Sequence, residues 1–195
     1  MTKQEIIRKL DLVPLKEEGG YVKELYRGKD DCYGTIYYLL TPDTFSRMHA
    51  LKHDEIWYYH DGPALEMLLV YEDHDEIRYL GKDISNSEEP QIRVPAGTFM
   101  GAVQKEKGDY TLVSTSMTPA YDPDEFQSAT YEDLKERCTH RDLLKKLTAG
   151  KQPLRLFFLC DKVIILSGLD LIKKLCELLF GDLDLQDILF IKRFL

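Results

Sequence analysis

The chain has 195 residues, 44% of them hydrophobic and 31% charged, which is the composition of an ordinary globular protein and excludes disordered and collagen-like chains. Acidic residues outnumber basic ones by 34 to 26, and the formal net charge of −8 argues against a general nucleic-acid binder, because phosphates would be repelled. Cys32, Cys138, Cys160 and Cys176 form no CxxC pair and no zinc spacing, and the first twenty residues lack the apolar core of a signal peptide. No run of 18 uncharged apolar residues is present. The expectation is a cytoplasmic protein with free thiols, bound neither to membrane nor to nucleic acid.

A short helix is expected over residues 3–10, with Ile6, Ile7 and Leu10 on one face and Thr2 as N-cap. Gly19-Gly20 marks a tight turn before a strand at 21–26. Further strands are expected at 35–40, 55–59, 65–71, 77–80, 91–94, 101–104 and 110–117. These runs are short, rich in Tyr, Ile, Val and Thr, and separated by Pro, Gly, Asp and Asn, which points to an all-β sandwich or barrel. From about 123 to 147 the pattern turns helical, with Leu134, Cys138, Leu143, Leu144 and Leu147 as apolar contacts. All 12 tyrosines fall between Tyr21 and Tyr131, whereas leucine, isoleucine and phenylalanine dominate after Pro153. Breakers cluster around Gly150, so residues 1–150 read as one domain and 151–195 as an apolar, helical C-terminal extension packed on its own barrel or on a partner subunit.

The densest polar cluster runs from Ser46 to Gly62 and holds His49, His53, His60 and several carboxylates. Strand alternation puts Glu55, Trp57 and Tyr59 on one side and Ile56, Tyr58 and His60 on the other, so His60 stays out of a site built on Glu55. His53 lies in a charged loop and reads as solvated. His49 and Glu55 are the candidate acid–base pair. Arg27, Arg47 and Arg93 have the guanidinium chemistry to bind an anion, although each reads equally as a salt-bridge partner. Val94-Pro95-Ala96-Gly97-Thr98 has the composition of a sharp turn between strands.

Together these segments resemble the cupin superfamily. Glu55 and Gly62 fit the E-x6-G element of its first motif, and counting back places His49 at the first histidine position and Leu51 at the second. Pro95 and Gly97 match the centre of the second motif, where Met100 stands at the histidine position and Gln104 at the terminal asparagine. The chain is more closely similar to the cupin-5 subfamily (domain of unknown function 985). The matches run in order through Glu18-Gly19-Gly20-Tyr21, Glu24, Tyr26-Arg27, Ile36–Thr41, Phe45-Ser46-Arg47-x-His49, Asp54-Glu55-Ile56-Trp57, Pro90-Gln91, Val94–Thr98, Tyr110–Val113 and Thr118-Pro119. The resemblance spans about residues 4–148. It implies a mainly β fold, the double-stranded β-helix or jelly-roll barrel with a short N-terminal helix and C-terminal helices, commonly paired as a homodimer.

A metal-dependent cupin uses three histidines and a glutamate. Here Leu51 and Met100 take two of the imidazole positions, so His49 and Glu55 remain as a vestigial set and no cofactor beyond a weakly held divalent metal is expected. What remains at the expected barrel mouth is His49 and Glu55 with Trp57, Tyr59, Phe99, Met100 and Arg47 as ligand-binding candidates. The aromatic residues could instead simply fill the barrel. The leading expectation is a cupin that binds a small, sugar-like molecule without a tightly bound metal. The alternatives are a carbohydrate isomerase or epimerase using His49 as acid and base, as the resemblance to metal-free cupin epimerases implies, or a structural dimeric barrel.

Overall fold

The computed structural model describes residues 1–149, so the expected C-terminal extension lies outside the described residues. Helix α1 (Lys3–Lys9) starts from a reciprocal cap in which the Glu5 amide donates to the Thr2 hydroxyl and the Thr2 amide to the Glu5 carboxylate. The strands that follow are β1 (Val13–Pro14), β2 (Tyr21–Arg27), β3 (Gly34–Leu40), β4 (Ser46–Ala50), β5 (Glu55–Asp61), β6 (Leu65–Val70), β7 (Asp75–Leu80), β8 (Glu88–Glu89), β9 (Gln91–Val94), β10 (Phe99–Gln104), β11 (Thr111–Met117) and β12 (Gln127–Ser128). Helices α2 (Tyr131–Leu134) and α3 (Arg141–Thr148) close the described chain.

Two six-stranded sheets form, one in the order β1-β2-β3-β11-β5-β9 and the other in the order β12-β4-β10-β6-β7-β8. Setting aside the short strands β1, β8 and β12 and the flanking β2, eight strands remain. They pair as nested antiparallel ribbons, β3 with β11, β4 with β10, β5 with β9 and β6 with β7. First pairs with last and fourth with fifth. That nesting is the jelly roll, and the mainly β class expected from the sequence is the one observed.

Each sheet buries both faces over part of its length, and this explains the weak alternation of the sequence. Along β6, Leu65, Met67 and Leu69 point between the sheets to Trp57, Ile92, Met100 and Val113. Leu68 and Val70 point the other way, into an outer cluster with Phe99, Leu134, Leu144 and Leu147 under α2 and α3. A third cluster, Ile6, Leu12, Leu39 and Tyr110, seats α1 on the back of the other sheet. Burial on both faces turns a strand into a continuous apolar run.

The helical stretch expected over 123–147 is broken. A 3₁₀ turn (Pro123–Glu125), β12 and the four-residue α2 precede α3, because pairing of Gln127 with Ala50 and of Ser128 with His49 draws the chain into the sheet. No helix among the described residues is long and apolar enough to cross a membrane.

Candidate functional site

The segment that carries His49 is a strand, β4, which the sequence pattern did not reveal. Against β10, Met100 pairs with His49 and Ala102 with Ser46, so three steps on β4 oppose two on β10. This one-residue bulge breaks the period of two. Ser46 and His49 would lie on opposite faces of a regular strand, yet both come to the side shared with Met100 and Ala102, between the sheets. Met48 and Ala50 point outward, under the helices.

Glu18 arrives from the turn before β2. The turn closes through Gly19 N–H to the Leu15 carbonyl (2.8 Å) and Leu15 N–H to the Gly20 carbonyl (3.0 Å). Gly20 has φ +70°, and a Cβ there would stand 2.7 Å from the Leu39 carbonyl oxygen, so only glycine fits. Arg47 N–H donates to the Glu18 carbonyl (2.8 Å), and the Ser46 hydroxyl donates to Glu18 Oε1 (2.8 Å). The bulge and the glycine turn therefore hold one another. Tyr38, fully buried on β3, donates its hydroxyl to the Gly19 carbonyl (2.8 Å).

His49 is 1% exposed. Its Nδ1 lies 2.6 Å from the Arg47 carbonyl, and because a carbonyl only accepts, Nδ1 carries the hydrogen. Nε2 faces Glu18 Oε1 at 4.0 Å, and the ring stacks on Phe126 with centroids 5.1 Å apart. On β5, Glu55 is 7% exposed and accepts from Trp57 Nε1–H at 2.6 Å. Burial, reinforced by the charge of Glu18, pushes the Glu55 carboxyl up to about 7, with His49 and the hydroxyl of Thr115 acting in the opposite direction. Burial and the charges of Glu18 and Glu55 also lift the Tyr38 phenol well above its ordinary range.

Asp54 positions the turn opposite. Its Oδ1 accepts from Ala96 N–H (2.8 Å) and its Oδ2 from Arg93 Nε (2.6 Å), while Gly97 N–H donates to the Leu51 carbonyl (2.8 Å). Gly97 takes the positive φ of +74° that a turn closed from Thr98 N–H to the Pro95 carbonyl requires.

The structure brings His49, Glu55, Trp57 and Met100 to the interior between the sheets, with Met100 directly opposite His49. Two ligand-binding candidates go elsewhere. Phe99 projects from the other face of β10 into the outer cluster, where the Arg137 guanidinium lies 5.5 Å from its ring, because neighbouring residues of a strand point oppositely. Tyr59 shares the face of Glu55 but sits two positions beyond Trp57. It lines a separate cleft of about 540 Å³ with Gly62, Pro63, Lys82, Glu88 and Lys105.

Arg47 occupies the bulge, and its Nε is buried without a hydrogen-bond partner. Arg27 and Arg93 are salt-bridge partners, of Glu24 and Asp31 and of Asp54 respectively. His53 is not freely solvated, since it lies 3.4 Å from Glu125. His60 is on the outer face, bonded to Ser114 (2.9 Å). Glu18 was legible as part of the Glu-Gly-Gly-Tyr segment but not as a site residue, because 31 residues separate it from His49 and only the tertiary fold joins them.

The donor set does not fit a cupin metal. Leu51 and Met100 offer no imidazole, which leaves only His49 and Glu55 of the four-residue set. Among the described residues no group of three or more His, Cys, Asp or Glu is placed to hold a metal ion.

A jelly roll with a buried His–carboxylate cluster between its sheets defines a cupin-type barrel. Residues 4–129 match the family described as Cupin superfamily (DUF985), and the chain belongs to that family. It is similar to protein SO0799 from Shewanella oneidensis, with 28% identity and a TM-score of 0.71, over 76% of this chain and 98% of that one. It is similar also to a hypothetical protein from Leishmania major, with 29% identity and a TM-score of 0.67, over 76% and 99%. A cupin-2 domain, Rru_A2000 from Rhodospirillum rubrum, shares the fold at 13% identity with a TM-score of 0.53, over 73% and 91%. No curated protein matches the sequence.

Proposed function

We propose that this cupin binds a small, polar, sugar-like molecule beside His49 and Glu55 and does so without a tightly held metal. The observation that carries this reading is the burial of His49, Glu55 and Tyr38, with Glu18 partly buried beside them, against the apolar residues between the sheets. Burying such groups is costly, and a protein needing only a filled barrel has no use for them. Calorimetric titration with aldoses and uronates tests it. Heat of binding is expected for at least one member of the series, and His49→Ala should abolish that signal while leaving the circular dichroism spectrum unchanged. Equal binding by the parent and by His49→Ala would place the ligand elsewhere.

One observation favours a second reading, proton transfer as in an isomerase or epimerase. A carboxyl pushed up to about 7 both gives and takes a proton near neutrality, and His49, with its Nδ1–H held by the Arg47 carbonyl, turns Nε2 towards Glu18 Oε1. Turnover of a bound sugar that is lost in His49→Ala would separate catalysis from carriage. The chain further reads as a homodimer, supported by the exposed Leu25, Tyr26 and Tyr33 on the β2–β3 hairpin. Light scattering at micromolar concentration should return twice the chain mass, and a monomer mass would count against pairing.

A further inference from the structure

Residues 118–126 cross from one sheet to the other at the end of the barrel where His49 and Glu55 lie. Strand β11 ends at Met117, opposite Glu55 of β5, and Gln127 of β12 pairs with Ala50, the last residue of β4 in the other sheet. Both ends of the crossing are pinned. On the β11 side Ala120 is buried, its N–H donates to the Asp31 carbonyl (2.8 Å), and a Cβ on Gly34 would stand 2.9 Å from the Ala120 Cβ. On the β12 side Gln127 and Ser128 join the ladder with β4, and Ala129 N–H donates to the Met48 carbonyl (3.2 Å).

Between these pins the chain is held lightly. Tyr121, Asp122, Pro123 and Asp124 are exposed. Their turn is closed from within, by Glu125 N–H to the Asp122 carbonyl and Asp124 N–H to Asp122 Oδ1, both 3.0 Å. Arg27 Nη2 donates to the Tyr121 carbonyl (3.2 Å) and Lys52 Nζ to Glu125 Oε1 (3.1 Å), with His53 Nε2 3.4 Å from Glu125 Oε2. The Lys52 side chain is 69% exposed, so its ion pair is a weak tie. Glu125 Oε2 is buried without a hydrogen bond to the described residues, which takes further stability from the closed arrangement. The last residue of the crossing, Phe126, lays its ring over the His49 imidazole, with centroids 5.1 Å apart and planes 20° apart.

We propose that residues 121–126 are a strap that closes the site and opens as a local unit, with the Lys52–Glu125 pair as its latch and the Phe126 ring as its cover. His49 is 1% exposed and Glu55 7%, so a solute does not reach them while the strap is down. Lifting Phe126 off the imidazole uncovers one ring face, and the pins at Ala120 and Gln127 limit the movement to the residues between them. A segment with exposed backbone and few ties to the core opens at a lower cost than unfolding of the domain. The barrel itself stays folded, because its ladders do not run through the strap.

A strap has a purpose only if the interior receives a molecule, so it rests on the small-molecule reading, but its test uses no sugar and the two fail separately. The full chain is labelled with diethyl pyrocarbonate at neutral pH, and the rates at His49 and His74 are followed by peptide mass spectrometry in the parent, in Lys52→Ala and in Phe126→Ala. His74, with its side chain 58% exposed, is the reference. His49 of the parent should react far more slowly than His74. Lys52→Ala leaves the Glu125 carboxylate partly buried without its lysine, which favours the raised strap. It should speed labelling of His49 about twofold to fivefold, with the His74 rate and the thermal midpoint unchanged. Phe126→Ala removes the cover and should give a larger acceleration. The His49 rate should respond little to urea below the unfolding transition, because lifting a strap exposes little surface. Three results would each overturn the strap: His49 reacting as fast as His74 in the parent, a His49 rate that rises with urea in step with global unfolding, or a His49 rate unchanged in Lys52→Ala.

Discussion

Replacing Glu55 with glutamine is expected to stabilise the protein above neutral pH by about 3 kcal/mol relative to the difference measured at pH 4. The Glu55 carboxyl stands at about 7 in the fold against 4.5 when free, chiefly because burial penalises its charge. The folded state therefore retains a proton that the unfolded chain releases. The stability associated with the protonated form is fully present below pH 4.5, falls as pH rises from there to about 7, and is level above that. Glutamine does not titrate and still accepts from the Trp57 N–H, so the gap between variant and parent should open across that same window. At the size of this chain 3 kcal/mol corresponds to about 6–12 °C in thermal midpoint. Midpoints of the two proteins at pH 4, 5.5, 7 and 8.5 check it. A gap that stays constant across the series would mean that Glu55 is not held protonated by the fold.

Asp75 should behave with the opposite sign. Its side chain is 3% exposed and accepts five hydrogen bonds: from the Cys138 thiol, the Thr139 hydroxyl, the Thr139 and His140 amides and His140 Nδ1. The residue belongs to β7, and the groups it gathers lead into α3, so one carboxylate ties the start of that helix to the sheet. Burial alone would raise its carboxyl, yet the bonds from His140 and Thr139 outweigh burial and hold it well below the usual range. Its stabilisation is present above the ordinary carboxylate value of 3.8 and is lost as pH falls through the lower folded value. Asp75→Ala leaves the Thr139 and His140 amides without their acceptor and should cost about 3–5 kcal/mol, or about 6–20 °C in midpoint at neutral pH. A loss below 1 kcal/mol by urea unfolding would show that water replaces the carboxylate at no cost and that α3 does not depend on it.

These two residues also mark the limits of what could be read from the residues alone. Glu55 was accessible because strand alternation needs only neighbours: Glu55, Trp57 and Tyr59 fall on one face in the sequence and in the fold. Asp75 was not accessible, since its five donors include none closer than 63 positions along the chain. The reciprocal cap of α1 lies within four residues and was legible through Thr2. Strand β4 was missed because its bulge removes the alternation by which strands are recognised, and that same bulge brings Ser46 and His49 to one side. Phe99 and Met100 were grouped by proximity in sequence, and the pleat sends them to opposite faces of β10.

The sequence by itself determined the mainly β class, the jelly-roll family, the capped first helix and the Pro95–Thr98 turn, and it offered His49 and Glu55 as the candidate polar centre. Each is encoded in local periodicity, turn chemistry or ordered motifs. The tertiary structure decided that Glu18 completes that centre, that Tyr59 lines a different cleft, that Phe99 packs beneath the helices and that Asp75 anchors α3. Those outcomes depend on which distant strands pair and in what register, and a one-residue shift in register reverses the side on which every residue of a strand lies.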